Sequence, residues 1–583
     1  MEVSLSGPPC RADAAWDTVV ETGVMLRLAG APPVRVRLAE DADGEIVPAG
    51  TMLGPAGLRH AFEDASLRWV RGSSLSFVRR IDGPLLREVR YEARLKHLGD
   101  GAGVRPEVTL GVDSRIKGFG GALQLYTRGV RAGWTREFNA IEGPGRAVKK
   151  KTRRPLDVTT QAALSRWTDH GARPALRARV EQWLREAPAR QLHGVRPRLL
   201  AAGWDDEDEQ LDVVIDDLVE ACAAGVVELY WVVHCPRCRA DVLRVDGLNG
   251  LPEQARCGAC GVVHAVDLAR TVEVVLAAPA WLRSAEPTCP AVAAGLPEVA
   301  AAVLLQAGGS DTLELALDPG SYRIVAGAGA ERLDGTLEVS KGGASTASWA
   351  PGEATVRLGT RATLTLDNPR RRRHFVRIVD DARPLPRLSA IRMLTRPRFQ
   401  ARLGGHAPAP GVILEIGDAT LLLVDLADTA AYFEAHGDRA GVRHLRRRLD
   451  AAAARVESRG GVRIKTLGDG ILAMFPDPVR AAMAACDLLT GPEAGHAGEP
   501  ALRLGMARGP LLTQHTDVAG LDCFGGTVAA ASLAVYLAPP MCLQLSGGLC
   551  EDADVKGVLA SYRFGLEALD TGRSLARHQA GGR

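Results

Sequence analysis

The stretch GVRIKTLGDGILAMF, residues 461–475, decides the fold of the C-terminal part of the chain. Two apolar runs meet at the sequence Gly-Asp-Gly, which predicts a hairpin of two strands. Lys465 and Asp469 lie within this hairpin, four residues apart, although neither fits the apolar pattern. They are either the charged tip of an ordinary hairpin or two groups that bind a ligand.

The sequence on either side of this hairpin predicts an α+β domain. The run ATLLLVDLAD (419–428) is an apolar strand whose hydrophobic part ends at Asp425. A long amphipathic helix is predicted over 432–458, a second helix over 477–489, and a further strand over 501–509. The resulting β-α-β-β-α-β order is the ferredoxin-like arrangement.

In this arrangement the end of the Asp425 strand and the Gly-Asp-Gly turn can lie side by side. Two carboxylates so placed, those of Asp425 and Asp469, could hold a pair of divalent metal ions. Each aspartate alone also has a structural interpretation, because Asp-Gly is a common hairpin turn and an Asp at a strand end is often a cap. The two aspartates together, with Lys465 between them, favour a binding site.

The segments LLLVDLADTAAYFEAHGD (421–438) and GGVRIKTLGDGILAMF (460–475) resemble the catalytic domain of class III adenylate and guanylate cyclases. The resemblance covers residues 411–572, a little over a quarter of the chain. It implies that Asp425 and Asp469 bind two ions of Mg²⁺ or Mn²⁺, which activate the ribose 3′-hydroxyl and carry the triphosphate.

The same resemblance implies a substrate-binding set. Lys465 matches the family's adenine-reading lysine, where guanylate cyclases carry Glu, and Asp522 in LDCFGGTVAAASLAVY matches its companion for the adenine amino group. Both residues favour ATP over GTP. Thr527, in the same segment, is expected to contact the substrate as well.

Two positions of this segment depart from the family pattern. The family has an Asn that orients the ribose and an Arg that stabilises the reacting phosphate, and here those positions are Ala529 and Leu533. Neither side chain can donate a hydrogen bond. Loss of such an arginine costs a factor of about 10³–10⁵ in rate, and loss of an orienting donor about 10²–10³. Asp428 stands where the family favours Gly and adds a negative charge near the expected triphosphate.

These departures have a consequence for assembly. In the family, one catalytic domain supplies the metal aspartates and its partner supplies the Lys, Asp, Asn and Arg. A homodimer of this chain would lack Asn and Arg at both sites, whereas a heterodimer with an intact paralogue could have one working site. The sequence therefore predicts weak or absent activity for the chain alone.

Two cysteine pairs form a second motif. CPRC (235–238) and CGAC (257–260) are 18 residues apart, a spacing typical of zinc ribbons. We expect one structural Zn²⁺, since four thiolates leave no open position for water; a redox pair would explain one CxxC but not two. The expected ligands are Cys235, Cys238, Cys257 and Cys260. The remaining cysteines are interpreted as core or surface thiols: Cys10, Cys222, Cys289, Cys486, Cys523, Cys542 and Cys550.

Composition limits the broad class. The chain has 583 residues, a net charge of +3 and 11 cysteines, and 46% of its residues are hydrophobic. This length suggests three or four domains, and this charge gives no general signal for binding polyanions. The start of the sequence lacks the features of a signal peptide, and no apolar run is long enough to span a bilayer. We therefore expect a cytoplasmic protein that does not contact membranes.

Changes in composition predict a multidomain α+β chain. The expected parts are 1–146, a START-like helix-grip domain; 147–195, a basic linker and helix; 196–268, a winged-helix-like segment with the zinc ribbon; 269–383, a β-rich, β-sandwich-like domain; 384–410, a linker; 411–572, the cyclase-like domain; and 573–583, a disordered tail.

The N-terminal assignment is itself a resemblance. LRWVRGSSLSFVRRIDGPLLREVRYEARL (67–95) is similar to the START-like module found before some bacterial class III cyclases. Such cyclases can also carry a zinc ribbon and a β-rich segment in this order. The START-like fold implies a cavity for a small apolar ligand, and a filled core is the alternative.

Three functions are compatible with these features. The first is a cytoplasmic adenylate cyclase, governed by its N-terminal domain, that converts ATP to cyclic AMP and pyrophosphate. The second is a degenerate cyclase that binds a nucleotide or a partner without turnover. The third is nucleic-acid binding through the ribbon region. The acidic run DDEDE (205–209) disfavours it because carboxylates repel phosphates.

Overall fold

The structure is a computed structural model of the whole chain. The described residues are 2–20, 34–40, 46–53, 59–84, 86–99, 103–115, 120–141, 154–187, 189–200, 208–258, 260–283, 298–327, 333–380, 382, 387–403, 411–496, 498–516, 520–570 and 573–579. Cys289 and residues 149–153, which belong to the predicted basic linker, lie outside the described residues. No helix within these ranges combines the length and the apolar character needed to cross a bilayer.

The N-terminal part consists of an antiparallel sheet and two helices. Its strands are β1 (Glu2–Ser6), β2 (Val34–Glu40), β3 (Ile46–Leu53), β4 (Arg59–Val70), β5 (Ser74–Asp82), β6 (Leu86–His97) and β7 (Val104–Ser114), and its helices are α1 (Ala12–Val20) and α2 (Gly120–Ala140). Alternate residues of β5 to β7 are buried, as expected for a sheet with one face on a core. Trp16, Trp69, Tyr91, Trp134 and Phe138 are buried in this core.

The β-rich part continues the same sheet. Its strands are β13 (Val299–Leu305), β14 (Ser310–Ala316), β15 (Gly320–Val325), β16 (Gly335–Ser340), β17 (Thr346–Trp349), β18 (Thr355–Gly359), β19 (Arg361–Asp367) and β20 (His374–Val379). β13 pairs with β4, so that one twelve-stranded sheet crosses from the first part into the β-rich part. A second sheet has the order β14-β19-β17. The sequence did not predict the shared sheet.

Helices and short strands connect these parts to the C-terminal domain. The helices are α3 (Val158–Asp169), α4 (Pro174–Glu186), α5 (Ala189–His193), α6 (Pro197–Leu200), α7 (Asp208–Ala223), α8 (Ala390–Leu394) and α9 (Pro397–Leu403). The strands are β8 (Glu228–His234), β9 (Asp241–Val245), β10 (Gln254–Arg256), β11 (Val263–Ala265) and β12 (Val272–Ala277). β8, β9 and β12 form a small antiparallel sheet, and β10 pairs with β11 in the cysteine-rich segment.

The C-terminal domain has the predicted ferredoxin-like core with additional elements. Its strands are β21 (Ile413–Leu426), β22 (Val462–Leu467), β23 (Gly470–Phe475), β24 (Leu502–Thr516), β25 (Gly520–Phe524), β26 (Cys542–Ser546), β27 (Phe564–Asp570) and β28 (Arg573–His578). Its helices are α10 (Thr429–His436), α11 (Asp438–Ser458), α12 (Pro478–Thr490), α13 (Gly526–Leu537) and α14 (Ala553–Ser561). The sheet order is β22-β23-β21-β24-β26-β28-β27, with β25 on β24. The predicted β-α-β-β-α-β order and the hairpin are confirmed.

Two predictions about this domain are wrong. The helix predicted over 432–458 is divided, because Gly437 takes a φ of 75° and ends α10 before α11 begins. The predicted disordered tail, 573–583, begins with strand β28, which pairs with β26 on one side and β27 on the other. Leu575 and Ala576 are buried there, so a short polar-looking segment is ordered by its position inside a sheet.

The predicted boundaries do not separate independent cores. One cluster of buried side chains runs from the helical segment, through β8 and β12, to β21 and α13 of the C-terminal domain. Trp231 of β8 packs edge-on against Phe399 of α9 at 5.8 Å between ring centroids. The segment before the C-terminal domain is therefore packed against it as one hydrophobic unit.

Candidate active site and cysteine centre

The two predicted metal aspartates lie side by side. β21 and β23 are antiparallel, and Asp425 stands directly opposite Gly470, the residue after Asp469. A side chain at position 470 would not fit, since a Cβ there would lie 2.7 Å from the Val424 carbonyl oxygen and 3.2 Å from Asp425 Oδ1. Gly468 takes a φ of 64° in the turn. The two glycines therefore allow both the tight turn and its close approach to Asp425.

The Asp425 carboxylate is engaged by an arginine on the neighbouring strand. Arg503 of β24 is its register partner, and it donates to Asp425 Oδ2 from Nη2 at 2.5 Å and from Nε at 3.0 Å. Burial raises the pKa of Asp425 above its ordinary value, the bonds from Arg503 act in the opposite direction, and the charge of Asp469 raises it further. The raised pKa reflects two carboxylates held close together in a half-buried place.

Asp469 is held by the first residue of α10, the helix that follows β21. The Thr429 hydroxyl donates to Asp469 Oδ2 at 2.8 Å. The residue before it, Asp428, has a left-handed backbone with φ 62° and ψ 27°, a conformation that favours glycine. A glycine would suit position 428 because it adopts a left-handed backbone without a steric penalty.

These residues fit divalent ions bound through oxygen. Two carboxylates and one guanidinium leave a net negative charge at the end of β21, and carboxylate oxygens are the donors that Mg²⁺ and Mn²⁺ take in proteins. Arg503 neutralises part of the charge on Asp425. Sequence reasoning missed Arg503 and Thr429, although a charged residue inside the apolar run LRLGMARG (502–509) was a usable signal.

The predicted purine-binding pair is also brought together. Lys465 Nζ of β22 lies 2.8 Å from Asp522 Oδ1 and 3.0 Å from Oδ2, across 57 residues of sequence. Asp522 is 8% exposed and faces β22 from β25. The pair offers an ammonium donor and a carboxylate acceptor in one place.

The remaining predicted residues lie on or near α13. The Thr527 hydroxyl donates to the Pro510 carbonyl at 2.8 Å and the side chain is buried, so it fastens α13 to β24; a substrate contact of Thr527 stays a prediction. Ala529 and Leu533 are both exposed, one helical turn apart. Leu533 and Leu537 are about half exposed, and Tyr536 is more exposed still.

The four predicted zinc ligands converge. Their sulfur atoms all lie within 4.8 Å of one another, and all four residues are buried. Cys235 and Cys260 are 3.6 Å apart at Sγ, and Cys238 and Cys257 are 3.5 Å apart. Tetrahedral Zn–S bonds of about 2.3 Å place sulfurs about 3.8 Å apart, so the cluster fits one Zn²⁺.

Both cysteine pairs have the same local backbone. The Arg239 amide donates to the Cys235 carbonyl, and the Gly261 amide donates to the Cys257 carbonyl. Arg239 and Gly261 each have a positive φ, 62° and 68°. The pairs are therefore two equivalent knuckles, as the spacing indicated. Of the other described cysteines, Cys10, Cys486, Cys523, Cys542 and Cys550 are buried and Cys222 is half-buried.

The cysteine-rich segment and the residues directly after it join the β-rich part to the C-terminal domain. Arg237, inside the first knuckle, pairs with Asp334 at 2.6 Å and donates to the Ala326 and Gly327 carbonyls. After the second knuckle, the Gly417 amide of β21 donates to Asp267 Oδ1 at 3.1 Å. The segment that follows the second knuckle therefore contacts a β21 residue eight positions before Asp425.

Solved structures of other proteins are similar to about 28% of this chain. No protein-family model matches the chain, and no curated protein matches it. One similar structure is the guanylyl cyclase domain of the RhoGC fusion protein from the aquatic fungus Blastocladiella emersonii, with 19% identity, 28% of this chain and 96% of that chain covered, and a TM-score of 0.25.

Two further similar structures are adenylate cyclases. That of Trypanosoma brucei has 15% identity, 27% and 88% coverage of the two chains, and a TM-score of 0.24. The adenylyl cyclase CyaB from P. aeruginosa has 13% identity, 29% and 97% coverage, and a TM-score of 0.24. Similarity at these identities and TM-scores does not indicate activity or substrate. The fold of the C-terminal domain is assigned from its own strand order.

Proposed function

We propose that the C-terminal domain is a nucleotidyl cyclase domain directed at ATP, which uses two divalent ions and a site completed by a second catalytic domain. The observation that supports this most is the pairing of Asp425 with Gly470, which sets two carboxylates beside each other at the end of β21. The resemblance of the two sequence segments to class III cyclases supplies the reaction.

Each half of the site has a defined part in this proposal. Asp425 and Asp469 would hold Mg²⁺ or Mn²⁺, which supply Lewis acidity toward the ribose 3′-hydroxyl and the phosphates. Lys465 would donate to a ring nitrogen of adenine, and Asp522 would accept from its exocyclic amino group. Guanine presents a carbonyl oxygen where adenine has that amino group, so the Asp522 carboxylate favours ATP.

A second candidate is a cyclase-like regulator that binds a nucleotide or a partner without turnover. Ala529 and Leu533 favour this candidate, because neither side chain has a hydrogen-bond donor for a ribose or a phosphate. Both residues are exposed on α13. A heterodimer with an intact paralogue is the intermediate case, in which this chain contributes Asp425 and Asp469. Whichever candidate applies, we also propose a structural Zn²⁺ at the four cysteines and a small apolar ligand in the N-terminal domain.

The test is cyclic-nucleotide production by the purified full-length protein with Mn²⁺ and either ATP or GTP. The variant Asp469→Asn removes a metal carboxylate, and Asp450→Asn is the matched control, since Asp450 is an exposed residue of α11. Cyclic AMP from the wild type and the control, but not from Asp469→Asn, supports an enzyme. Absence of product from all three proteins leaves the regulator or the heterodimer, and an intact cyclase is then added as partner.

A further inference from the structure

We propose that an arginine-lined cavity behind the C-terminal domain is a binding site for a small phosphate-bearing anion. The cavity has a volume of about 390 Å³ and lies between α7, the segment 389–396, the irregular part of β21 and the end of β23. Four of its lining residues are Arg270, Arg392, Arg396 and Arg480. This site is separate from the carboxylates of the proposed active site.

The positive charges of the cavity meet around one buried carboxylate. Asp212 of α7 lies 3.2 Å from Arg392 and 3.1 Å from Arg396, and it also pairs with Arg480. Arg396 has a second partner, Asp216, at 2.5 Å. Arg480 also lies 3.9 Å from Asp477, which lines the cavity as well. Three guanidinium groups thus face three carboxylates, and since each guanidinium has five N–H groups these contacts do not use all of their donors.

Two more arginines at this place have no carboxylate partner. A second cavity, of about 190 Å³, adjoins the first and shares the lining residues Arg270 and Arg392. Arg198 also lines it. Within the described part of the chain, neither Arg198 nor Arg270 forms a side-chain ion pair or hydrogen bond.

A buried histidine adds an independent observation. His234 lines the smaller cavity, is only 3% exposed, and its Nδ1 has no hydrogen-bond partner in the described residues. A buried polar atom without a partner is costly. A ligand atom in the cavity would satisfy it. The carboxylate of this cavity, Glu273, is already held by Arg196 at 2.8 Å.

These features define the class of ligand. Guanidinium groups match the oxygens of phosphate and can bond to them in pairs. The larger cavity has the volume of sites that bind small molecules. A molecule with two or more linked phosphates would reach Arg270 and Arg392, which border both cavities. We therefore assign the site to a polyphosphate or nucleotide group.

The cavity is placed to influence the proposed active site. Asp418 lines it and lies in the irregular part of β21, seven residues before Asp425. Pro476, directly after β23, lines it as well, and the other end of β23 is Gly470. The cavity thus borders β21, which carries Asp425, and the far end of β23, which begins directly after Asp469. An anion there would hold this part of β21 and the end of β23 against α7.

The test is calorimetric titration of the full-length protein with sodium pyrophosphate at low ionic strength, without added divalent cations. Arg198→Ala and Arg270→Ala remove unpaired arginines and break no ion pair, so both variants should fold. We expect each to weaken pyrophosphate binding about tenfold or more, as for the loss of charge-assisted hydrogen bonds. Arg357→Ala, an exposed arginine of β18, is the matched control and should bind as the wild type.

The active site is a second place where pyrophosphate could bind, through metal ions held by Asp425 and Asp469. The wild type, Asp469→Asn and both arginine variants are therefore also titrated with Mn²⁺ present, because only the active-site binding should then depend on Asp469. Binding that persists in Asp469→Asn and is weakened in Arg198→Ala and Arg270→Ala supports the cavity site, whether or not the protein makes cyclic nucleotides. No binding to the wild type, or binding lost in Asp469→Asn and unchanged in both arginine variants, would overturn it. The cyclase proposal is unaffected by either result.

Discussion

Arg503 and Asp425 face each other on adjacent strands, and the guanidinium donates two hydrogen bonds to a single carboxylate oxygen of Asp425, at 2.5 and 3.0 Å. This pair holds one of the two proposed metal ligands. It also opposes the effects of burial and of Asp469, both of which favour the protonated form of Asp425. Arg503 therefore helps to keep this carboxylate ionised and available for a metal ion.

Removal of the arginine should make metal binding more sensitive to acid. The pKa of Asp425 is already raised, so protons compete with the metal at higher pH than at an ordinary aspartate. In Arg503→Met the lowering contribution is lost, and the pH below which Mn²⁺ binding fails should move upward. Titration of Mn²⁺ followed by electron paramagnetic resonance at several pH values measures this shift.

Two variants control that measurement. Arg503→Lys keeps the positive charge and should restore most of the wild-type pH dependence. Arg463→Met removes an arginine on β22 whose nearest carboxylate, Asp450, is exposed, and it should have no effect. An unchanged pH dependence in Arg503→Met would contradict the role given to Arg503.

Gly470 should tolerate no side chain. In Gly470→Ala the new Cβ would collide with the Val424 carbonyl at 2.7 Å, so the hairpin must move away from Asp425. We expect a destabilisation of about 1–3 kcal/mol, the usual cost of overpacking. Faster amide hydrogen exchange in 462–475 would show it, whereas tryptophan fluorescence would not, because 411–583 contains no tryptophan.

The matched control for this substitution is Gly557→Ala. Gly557 lies in α14 and has open space where a Cβ would be placed. Alanine is favoured over glycine in a helix by up to about 1 kcal/mol, so exchange in α14 should be unchanged or slower. Equal exchange of the hairpin in Gly470→Ala and the wild type would show that the close approach to Asp425 is not needed.

Asp428 should weaken nucleotide binding if the domain binds a triphosphate. Asp428→Asn removes the charge and keeps the residue size, and Asp428→Gly also suits the left-handed backbone at φ 62°. We expect ATP to bind about two- to fivefold more tightly to either variant, the size of an exposed charge interaction. Calorimetry with Mn²⁺ and ATP compares them. A gain in Asp428→Gly alone would assign the effect to backbone strain, and a gain in neither would contradict the prediction.

The cysteine cluster should bind one zinc ion per chain and hold its neighbours together. In Cys257→Ser the metal content, measured by mass spectrometry, should fall well below one, because a serine hydroxyl replaces a thiolate ligand. Hydrogen exchange should become faster in 326–327, 333–334 and 415–417, since Ala326, Gly327 and Asp334 contact the first knuckle and Glu415 and Gly417 contact residues after the second. Cys222→Ser is the control, since Cys222 lies in α7 outside the cluster. Wild-type protein that purifies without zinc would contradict the assignment.

Restoration of the two missing polar groups tests the proposed enzyme. Ala529→Asn and Leu533→Arg lie on one exposed face of α13, so the double variant should fold normally. If the domain is a decayed cyclase, its cyclic AMP production should rise by about 10²-fold or more, the effect of an orienting donor or a charge-stabilising arginine. Leu537→Arg, a further exposed leucine of the same helix, is the control for added charge. Equal low activity in all these proteins would favour the regulator.

Local sequence determined a good part of this protein. The Gly-Asp-Gly turn, the strands around it and the order of the ferredoxin-like core follow from hydrophobic periodicity and turn chemistry, which act over a few residues. The two CxxC knuckles could be predicted for the same reason, since each is a short turn with fixed ligand spacing. Asp425, Asp469 and Lys465 stood out because their residue types interrupt or end apolar strands, whereas Asp522 was identified only through the resemblance to class III cyclases.

Tertiary structure alone decided the relationships between distant segments. The pairing of β4 with β13, the order of β28 inside the sheet, the Arg503–Asp425 bond and the arginine cavity each join residues far apart in sequence. Periodicity cannot specify such pairs, because many exposed arginines and short polar strands have the same local pattern. Their partners are selected by the packing of whole elements, which brings a buried carboxylate such as Asp212 among several guanidinium groups.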